Sequence, residues 1–340
     1  MELPDSSHLA LTKTFWLAGL AFLIAILWTP LFTDFLYKNK LGKKIRQTGF
    51  DEKNAPIFYS FHKHKENTPT MGGLLIWITV VLITLLINSS RSQTWLPLFV
   101  LAAAGVIGAV DDLLNIYSVG PNGGGLRFRW KLLSYLLIAV AAAWWFYSKL
   151  GFSQIVIPFV GTVEISLWYI LIFIGVLIFT TFSANETDGL DGLAGGVFAT
   201  CFMAYAVIAI VQGRTELAAF CGTVGGALLA FLWFNIYPAR FFMGDTGAMS
   251  LGMTLGVLAF LTNTVFILPI IGFVLYVEGF SAVIQILSKK FRKKKVFLSA
   301  PIHHHFQALG WPEPKITMRF WVISIVSSVI GLFSYLVTRV

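Results

Sequence analysis

Long apolar stretches separated by short polar ones organise this chain. Ten segments have the length and character of helices that cross a bilayer, at about 15–37, 71–89, 95–111, 132–148, 166–183, 193–211, 217–236, 247–265, 267–287 and 320–338. Such a helix needs roughly 20 mainly apolar residues, because hydrocarbon offers no water to an unpaired backbone group. The ninth segment is the least regular: Pro269, Gly272 and Gly279 interrupt it and Glu278 lies inside it, so a break or bend is expected there. Between the fourth and fifth segments, "QIVIPFVGTVEIS" alternates around Pro158 and Gly161. That pattern predicts a small β-hairpin near 152–165. The fold class expected is an all-α polytopic membrane protein with ten transmembrane helices, forming a single domain over 1–340.

Composition supports the membrane reading: 57% of the 340 residues are hydrophobic, 12% are charged and the mean hydropathy is +0.78, outside the range of water-soluble domains. Of the 25 Lys and Arg, 20 fall on one side of the ten-segment topology, in 38–65, 127–131, at Arg240 and in 289–319. The positive-inside rule makes that side cytoplasmic, so both termini and the hairpin are expected to be periplasmic. The net charge of +9 is thus a topological signal, and no soluble domain is present to hold a nucleic acid. The run "KKFRKKK" at 289–295 reads as an interfacial anchor. Cys201 and Cys221 sit inside apolar segments and read as small buried hydrophobes.

Among only 16 acidic residues, five aspartates recur at the cytoplasmic ends of segments. Asp111 and Asp112 close the third, Asp188 and Asp191 open the sixth, and Asp245 opens the eighth. Converging carboxylates repel one another and need a partner, and Arg240 is the nearest base in sequence to Asp245. A hard divalent cation is therefore expected. Mg²⁺ fits because it takes one or two protein carboxylates and completes its shell with water and phosphate. Asn185, Asp188 and Asp191 follow an i, i+3, i+6 spacing and line one face of the sixth helix if it begins near Asn185. Asp111 and Asp112 diverge by about 100° on a helix, so the two cannot ligate one ion in the same way.

Two cytoplasmic stretches add partners. In "HKHKENTPTMGG" at 62–73, Lys65 suits a diphosphate and Thr68 and Thr70 suit a nucleotide or sugar. In "APIHHHFQALGW" at 300–311, His303, His304 and His305 diverge too much to share one metal, and suit phosphate binding or proton transfer. Gly123–Gly125 lacks a Walker lysine pattern and reads as a flexible turn.

Together "TPTMGG" (68–73), "DDLL" (111–114), "NETDGLDGLAGG" (185–196), "FNIYPARFFMGDTGA" (234–248) and "PIHHHFQALGW" (301–311) resemble the phospho-N-acetylmuramoyl-pentapeptide transferases, a branch of the polyprenyl-phosphate N-acetylhexosamine-1-phosphate transferase superfamily. The resemblance runs in order along nearly the whole chain. It implies a Mg²⁺-dependent enzyme of the bacterial inner (cytoplasmic) membrane with its active site facing the cytoplasm. The implied substrates are UDP-MurNAc-pentapeptide and undecaprenyl phosphate, and the products are lipid I and UMP, in peptidoglycan synthesis. The implied catalytic residues are Asp111, Asp112, Asp245, His303, His304 and His305, with Asp245, Asp111 and Asp112 near the metal. Lys65, Thr70, Asn185, Asp188, Asp191, Asn235 and Gln285 match positions around the nucleotide and diphosphate. A homodimer is left open.

Three departures stand out: Asn115 where the family often has lysine, Glu186 where a hydrophobic residue is usual, and Gln307 where glutamate is usual. The competing readings are a polyprenyl-phosphate GlcNAc-1-phosphate transferase, which "PIHHHF" argues against, and a transporter with interfacial acids. An intramembrane aspartyl protease would need glycine at Phe242.

Overall fold

The computed structural model describes residues 5–42, 65–120 and 124–338. His62, His64 and Gly123 of the stretches above lie outside the described residues. In chain order the helices are α1 (Asp5–Lys38), α2 (Gly73–Ile87), α3 (Trp95–Ile116), α4 (Phe128–Lys149), α5 (Trp168–Thr187), α6 (Leu193–Val211), α7 (Thr215–Asn235), α8 (Gly244–Leu261), α9 (Leu268–Ile271), α10 (Phe273–Leu287), α11 (Ile302–Ala308) and α12 (Glu313–Val337). Strands β1 (Gln154–Ile157) and β2 (Gly161–Glu164) pair antiparallel between α4 and α5, with Gln154 opposite Glu164 and Ile157 opposite Gly161.

Among the described residues, eight helices have the length and apolar composition to cross a membrane. The two other segments expected to cross behave differently. The second is the 15-residue helix α2, about 22 Å long at 1.5 Å per residue. The ninth is broken at Gly272 into α9 and α10, as its glycine and proline content predicts, while Gly279 stays inside α10. Large apolar side chains cover the outside of the bundle, Leu27 on α1 and Phe333 on α12 among them. An apolar surface of this extent belongs against lipid.

Helix α8 forms the centre. Every residue from Thr246 to Leu261 is buried, and α3 and α5 pack along it through small residues. A Cβ on Gly108 of α3 would stand 2.4 Å from the Asp245 carbonyl oxygen and 2.6 Å from the Thr246 Cα, so the two backbones touch where α8 begins. Gly108→Ala is expected to push the start of α8 outward. It should destabilise the protein by about 1–3 kcal/mol, as overpacking does, and by more than Gly175→Ala, where a Cβ meets nothing within 4 Å. Thermal melts on both variants check this.

The hairpin marks the opposite end of α8. Asn263, just past its last turn, accepts a hydrogen bond from the Val156 amide through Oδ1 at 3.1 Å. Asp245 and the hairpin thus sit at opposite ends of one central helix.

Candidate active site at the start of the central helix

Helices α3, α5 and α8 each place an acid at the same end of the bundle. Helix α3 runs a full turn beyond Asp112, so Asp111 and Asp112 lie within its last two turns and are buried. Asp112 faces the first turn of α8, where its Oδ1 accepts the Asp245 amide at 3.2 Å and its Oδ2 the Thr246 amide at 3.1 Å. A carboxylate there satisfies amides that a helix leaves open and suits the positive end of its dipole. Asp188 adds a third contact, its Oδ2 accepting the Gly244 amide at 3.0 Å. Helix α3 and the cap of α5 therefore hold the start of α8 through side chains.

Asp111 turns another way. Its Oδ1 accepts the Leu126 amide at 2.6 Å, while its Oδ2 accepts from Lys131 at 2.9 Å and from the Asn115 side chain at 3.2 Å. Lys131 also reaches Oδ2 of Asp245 at 2.6 Å, so one ammonium lies between two carboxylates from two helices. Arg240 is the nearest base to Asp245 along the chain, but the neutralising group is Lys131, brought in by the first turn of α4. Asn115 contributes an uncharged donor to Asp111 in place of the lysine frequent at that position in the family.

The expected shared face of Asn185, Asp188 and Asp191 does not form. Asn185 belongs to the last turn of α5, Asp188 caps that helix, and Asp191 lies in the turn before α6. Gly192 is the physical reason, since its φ of +74° is a left-handed conformation that ends any helix running through it. The turn directs Asp188 and Asp191 to different partners. Asp191 takes Lys65 at 2.7 Å through Oδ1 and the Ala239 amide at 3.0 Å through Oδ2. Glu313, at the start of α12, accepts from both Lys65 and the Asp191 amide. Asn235 ties the same turn to the next loop, accepting the Gly192 amide at 3.0 Å and donating to the Phe241 carbonyl at 2.9 Å. Lys65 also lies 5.8 Å from the centre of the Phe242 ring.

Thr70 and Asn185 carry unpartnered polar atoms. The Thr70 hydroxyl is fully buried without a hydrogen bond and lies beside Gly244, where a Cβ would be 2.6 Å from it. Asn185 donates to the Tyr135 hydroxyl at 2.8 Å and leaves its Oδ1 without a partner. Orphaned groups of this kind ask for a ligand or water.

The three imidazoles diverge. His303 pairs with Glu278 through Nδ1 at 2.9 Å, His304 with Gln307 at 2.7 Å, and His305 accepts the Leu298 amide at 3.2 Å. His303 is fully buried, and burial together with the nearby Lys65 charge pushes it down to about 3, which keeps it neutral at physiological pH. Gln285 is turned away from the carboxylates. Its side chain accepts the Val296 and Phe297 amides, both at 3.0 Å, and donates to the Phe297 carbonyl at 2.8 Å, which folds the lysine-rich loop back onto α10. Gln285→Ala is expected to release that loop at about 1 kcal/mol per lost hydrogen bond. Faster tryptic cleavage within Lys289–Lys295 would report it.

The sequence patterns do not single out Glu278 or Glu313 as site residues. Glu278 inside an apolar segment was the available signal, because an intramembrane acid without a role is rare.

Comparison with known proteins decides the family. A relative from Geobacillus sp. (strain WCH70) named phospho-N-acetylmuramoyl-pentapeptide-transferase is 38% identical over 322 residues, covering 92% of this chain and 95% of the relative. The chain belongs to the phospho-N-acetylmuramoyl-pentapeptide-transferase family. The first signature of these transferases matches residues 65–76, and the glycosyl transferase family 4 model matches 94–263. Transferases of the same name from Chloroflexus aggregans (strain MD-66 / DSM 9485) and Anoxybacillus flavithermus (strain DSM 21510 / WK1) are 39% and 37% identical, over 95% and 93% of the chain and 89% and 96% of the relatives. The signature spans Lys65 and Thr70, and the broader model contains Lys131 and all five aspartates.

Proposed function

We propose that this chain transfers phospho-MurNAc-pentapeptide from UDP-MurNAc-pentapeptide to undecaprenyl phosphate, giving lipid I and UMP for peptidoglycan synthesis. One observation carries the reading: five stretches far apart in sequence meet at the start of α8. Pro69 accepts the Phe242 amide, Gly73 donates to the Met243 carbonyl, Asp112 and Asp188 accept amides of α8, and His303 rests on Gly189. A polar site built at the end of a bundle whose outside is apolar suits a reaction between a water-soluble nucleotide sugar and a lipid phosphate. In this reading α2 and the α9–α10 pair complete ten crossings, both termini are periplasmic, and the site opens to the cytoplasm from the inner membrane.

The donor set fits a magnesium ion. Two hard carboxylate oxygens already focus on one cationic group, and the orphaned Thr70 hydroxyl lies beside the residue preceding Asp245. Among the described residues no three His, Cys, Asp or Glu side chains form a metal cluster, so the ion would rely on phosphate oxygens for the rest of its shell, as Mg²⁺ commonly does. Asp111 and Asp245 would hold it, since both oxygens of Asp112 accept backbone amides. When bound it would neutralise charge on the diphosphate and on departing UMP.

The chain's own groups then have distinct tasks. Lys131 adds positive charge where phosphates from two substrates must approach, which lowers their mutual repulsion. Asp112 and Asp188 fix the start of α8 so that Asp245 keeps its direction. The Asp191, Lys65, Asn235 and Glu313 network holds the turn facing the nucleotide. A lipid phosphate is largely ionised near neutral pH, with a second pKa of roughly 6 by analogy with phosphorylated side chains, so Asp111 serves mainly to orient and to bind cation.

The test is a transfer assay on purified protein with radiolabelled UDP-MurNAc-pentapeptide or UDP-GlcNAc, undecaprenyl phosphate and Mg²⁺. Labelled lipid is expected only with the first, and only before EDTA is added. Lipid labelled from UDP-GlcNAc alone would move the chain to another branch of the superfamily.

A further inference from the structure

His303 and Glu278 are buried together behind the turn that carries Asp188 and Asp191, and the mechanism above gives neither a task. Both are fully buried, from α11 and α10, two helices that the lysine-rich loop separates in sequence. The Glu278 carboxyl meets α11 through the His303 ring, whose Nδ1 lies 2.9 Å from its Oε2. Its other oxygen has no partner. In a neutral pair one proton lies between Nδ1 and Oε2, and with the carboxyl as acceptor it belongs to Nδ1. The Nε2 is then a bare lone pair, and it too has no hydrogen-bond partner.

What Nε2 meets is the backbone of the turn carrying two site aspartates. A Cβ built on Gly189 would stand 2.2 Å from His303 Nε2 and 2.7 Å from Cε1. Any side chain at 189 would evict the ring. The imidazole therefore lies flush against the residue following Asp188 and two before Asp191. Those aspartates point in different directions, to the Gly244 amide and to Lys65.

We propose that Glu278 and His303 form a buried positioning pair, in which the carboxyl fixes the ring's orientation and the ring braces the Asp188–Asp191 turn for the nucleotide. This inference rests on the transferase reading for the identity of that nucleotide. His303 is a positioning residue in this account, because its ring is enclosed by protein and does not exchange protons with the reactants.

The experiment uses the full chain in lipid nanodiscs, with UMP as the probe. In ¹⁵N-histidine spectra the wild-type His303 is expected to show a protonated Nδ1 and a bare Nε2. Glu278→Leu should lose that signature and weaken UMP binding by about 10- to 100-fold, the range seen when a partner orienting a metal-bound histidine is removed. Glu278→Gln keeps an acceptor oxygen for Nδ1–H and should restore the signature and most of the affinity. Gly189→Ala approaches the same contact from the other side. It should weaken UMP binding, and His303→Ala in the same chain should relieve part of that loss, a coupling expected of residues in contact. Unchanged UMP binding and an unaltered His303 signature in Glu278→Leu would overturn the proposal. If that variant does not fold, wild-type affinity in Gly189→Ala would overturn it as well. A wild-type protein that makes no lipid I would instead refute the transferase reading, while the histidine spectra still test the pair.

Discussion

Asp245→Asn and Asp111→Asn, each in folded protein, are expected to lose lipid I formation by at least about 10²–10³-fold, the loss typical of removing one preorganised electrostatic group from an active site. Asparagine preserves the size of each side chain and removes its charge. Lys131 would keep one of its two carboxylate partners, so the fold should survive. Asp112→Asn is a control of a different kind. Its two oxygens accept two amides of α8, and an asparagine retains only one acceptor. That variant should therefore lose stability on the scale of a helix cap, about 1 kcal/mol, along with activity. Thermal melts beside initial rates separate the two patterns. Full turnover by both Asp245→Asn and Asp111→Asn would refute the assignment.

Lys131→Met is expected to be among the most destabilising single changes at this site. Lys131 is mostly buried, with 21% of its side chain exposed, and Asp111 is 1% exposed. Removing the ammonium leaves two carboxylates facing each other without a counter-charge. Breaking a buried ion pair from one side costs about 3–5 kcal/mol, and the partial exposure of Asp245, at 18%, puts the expectation near the lower figure. The same argument predicts a rescue. A divalent cation that binds between Asp111 and Asp245 stabilises the folded state by mass action, so Mg²⁺ should raise the melting temperature of Lys131→Met more than that of the wild type. Equal responses would mean that the two carboxylates do not share a cation.

Several parts of the structure were legible in the sequence because they depend on local chemistry. Hydrophobic runs fixed the positions of the long helices, alternation around Pro158 and Gly161 fixed the hairpin, and glycine with proline foretold the break before α10. Asp245 appears where its motif puts it, in the first turn of α8. Other parts depend on tertiary partners that no local pattern reveals. The i, i+3, i+6 spacing of Asn185, Asp188 and Asp191 suggested one helical face, but Gly189 and Gly192 place the three on a helix end and a turn. Counting bases near each aspartate in sequence puts Arg240 ahead of Lys131, which α4 brings to Asp111 and Asp245 across 20 and 114 positions. Glu313 was invisible for the same reason, since it meets Lys65 across 248 positions.

The departures from the family pattern also became interpretable only in three dimensions. Asn115 hydrogen-bonds Asp111, and Gln307 hydrogen-bonds His304. Both replacements are neutral side chains that keep a donor or acceptor where one is used. Glu186 is different: it is buried, 8% exposed, in the last turn of α5, and nothing in the structure explains a carboxylate there.

Anomalous diffraction from crystals soaked in Mn²⁺ with UMP gives the most direct test of the central claim, with Mn²⁺ standing in for Mg²⁺. The account predicts one strong peak between the carboxylates of Asp111 and Asp245, at the roughly 2.0–2.1 Å from their oxygens that a magnesium-type ion demands, with Lys131 displaced toward phosphate. A peak elsewhere, with Lys131 still bridging the two aspartates, would contradict it.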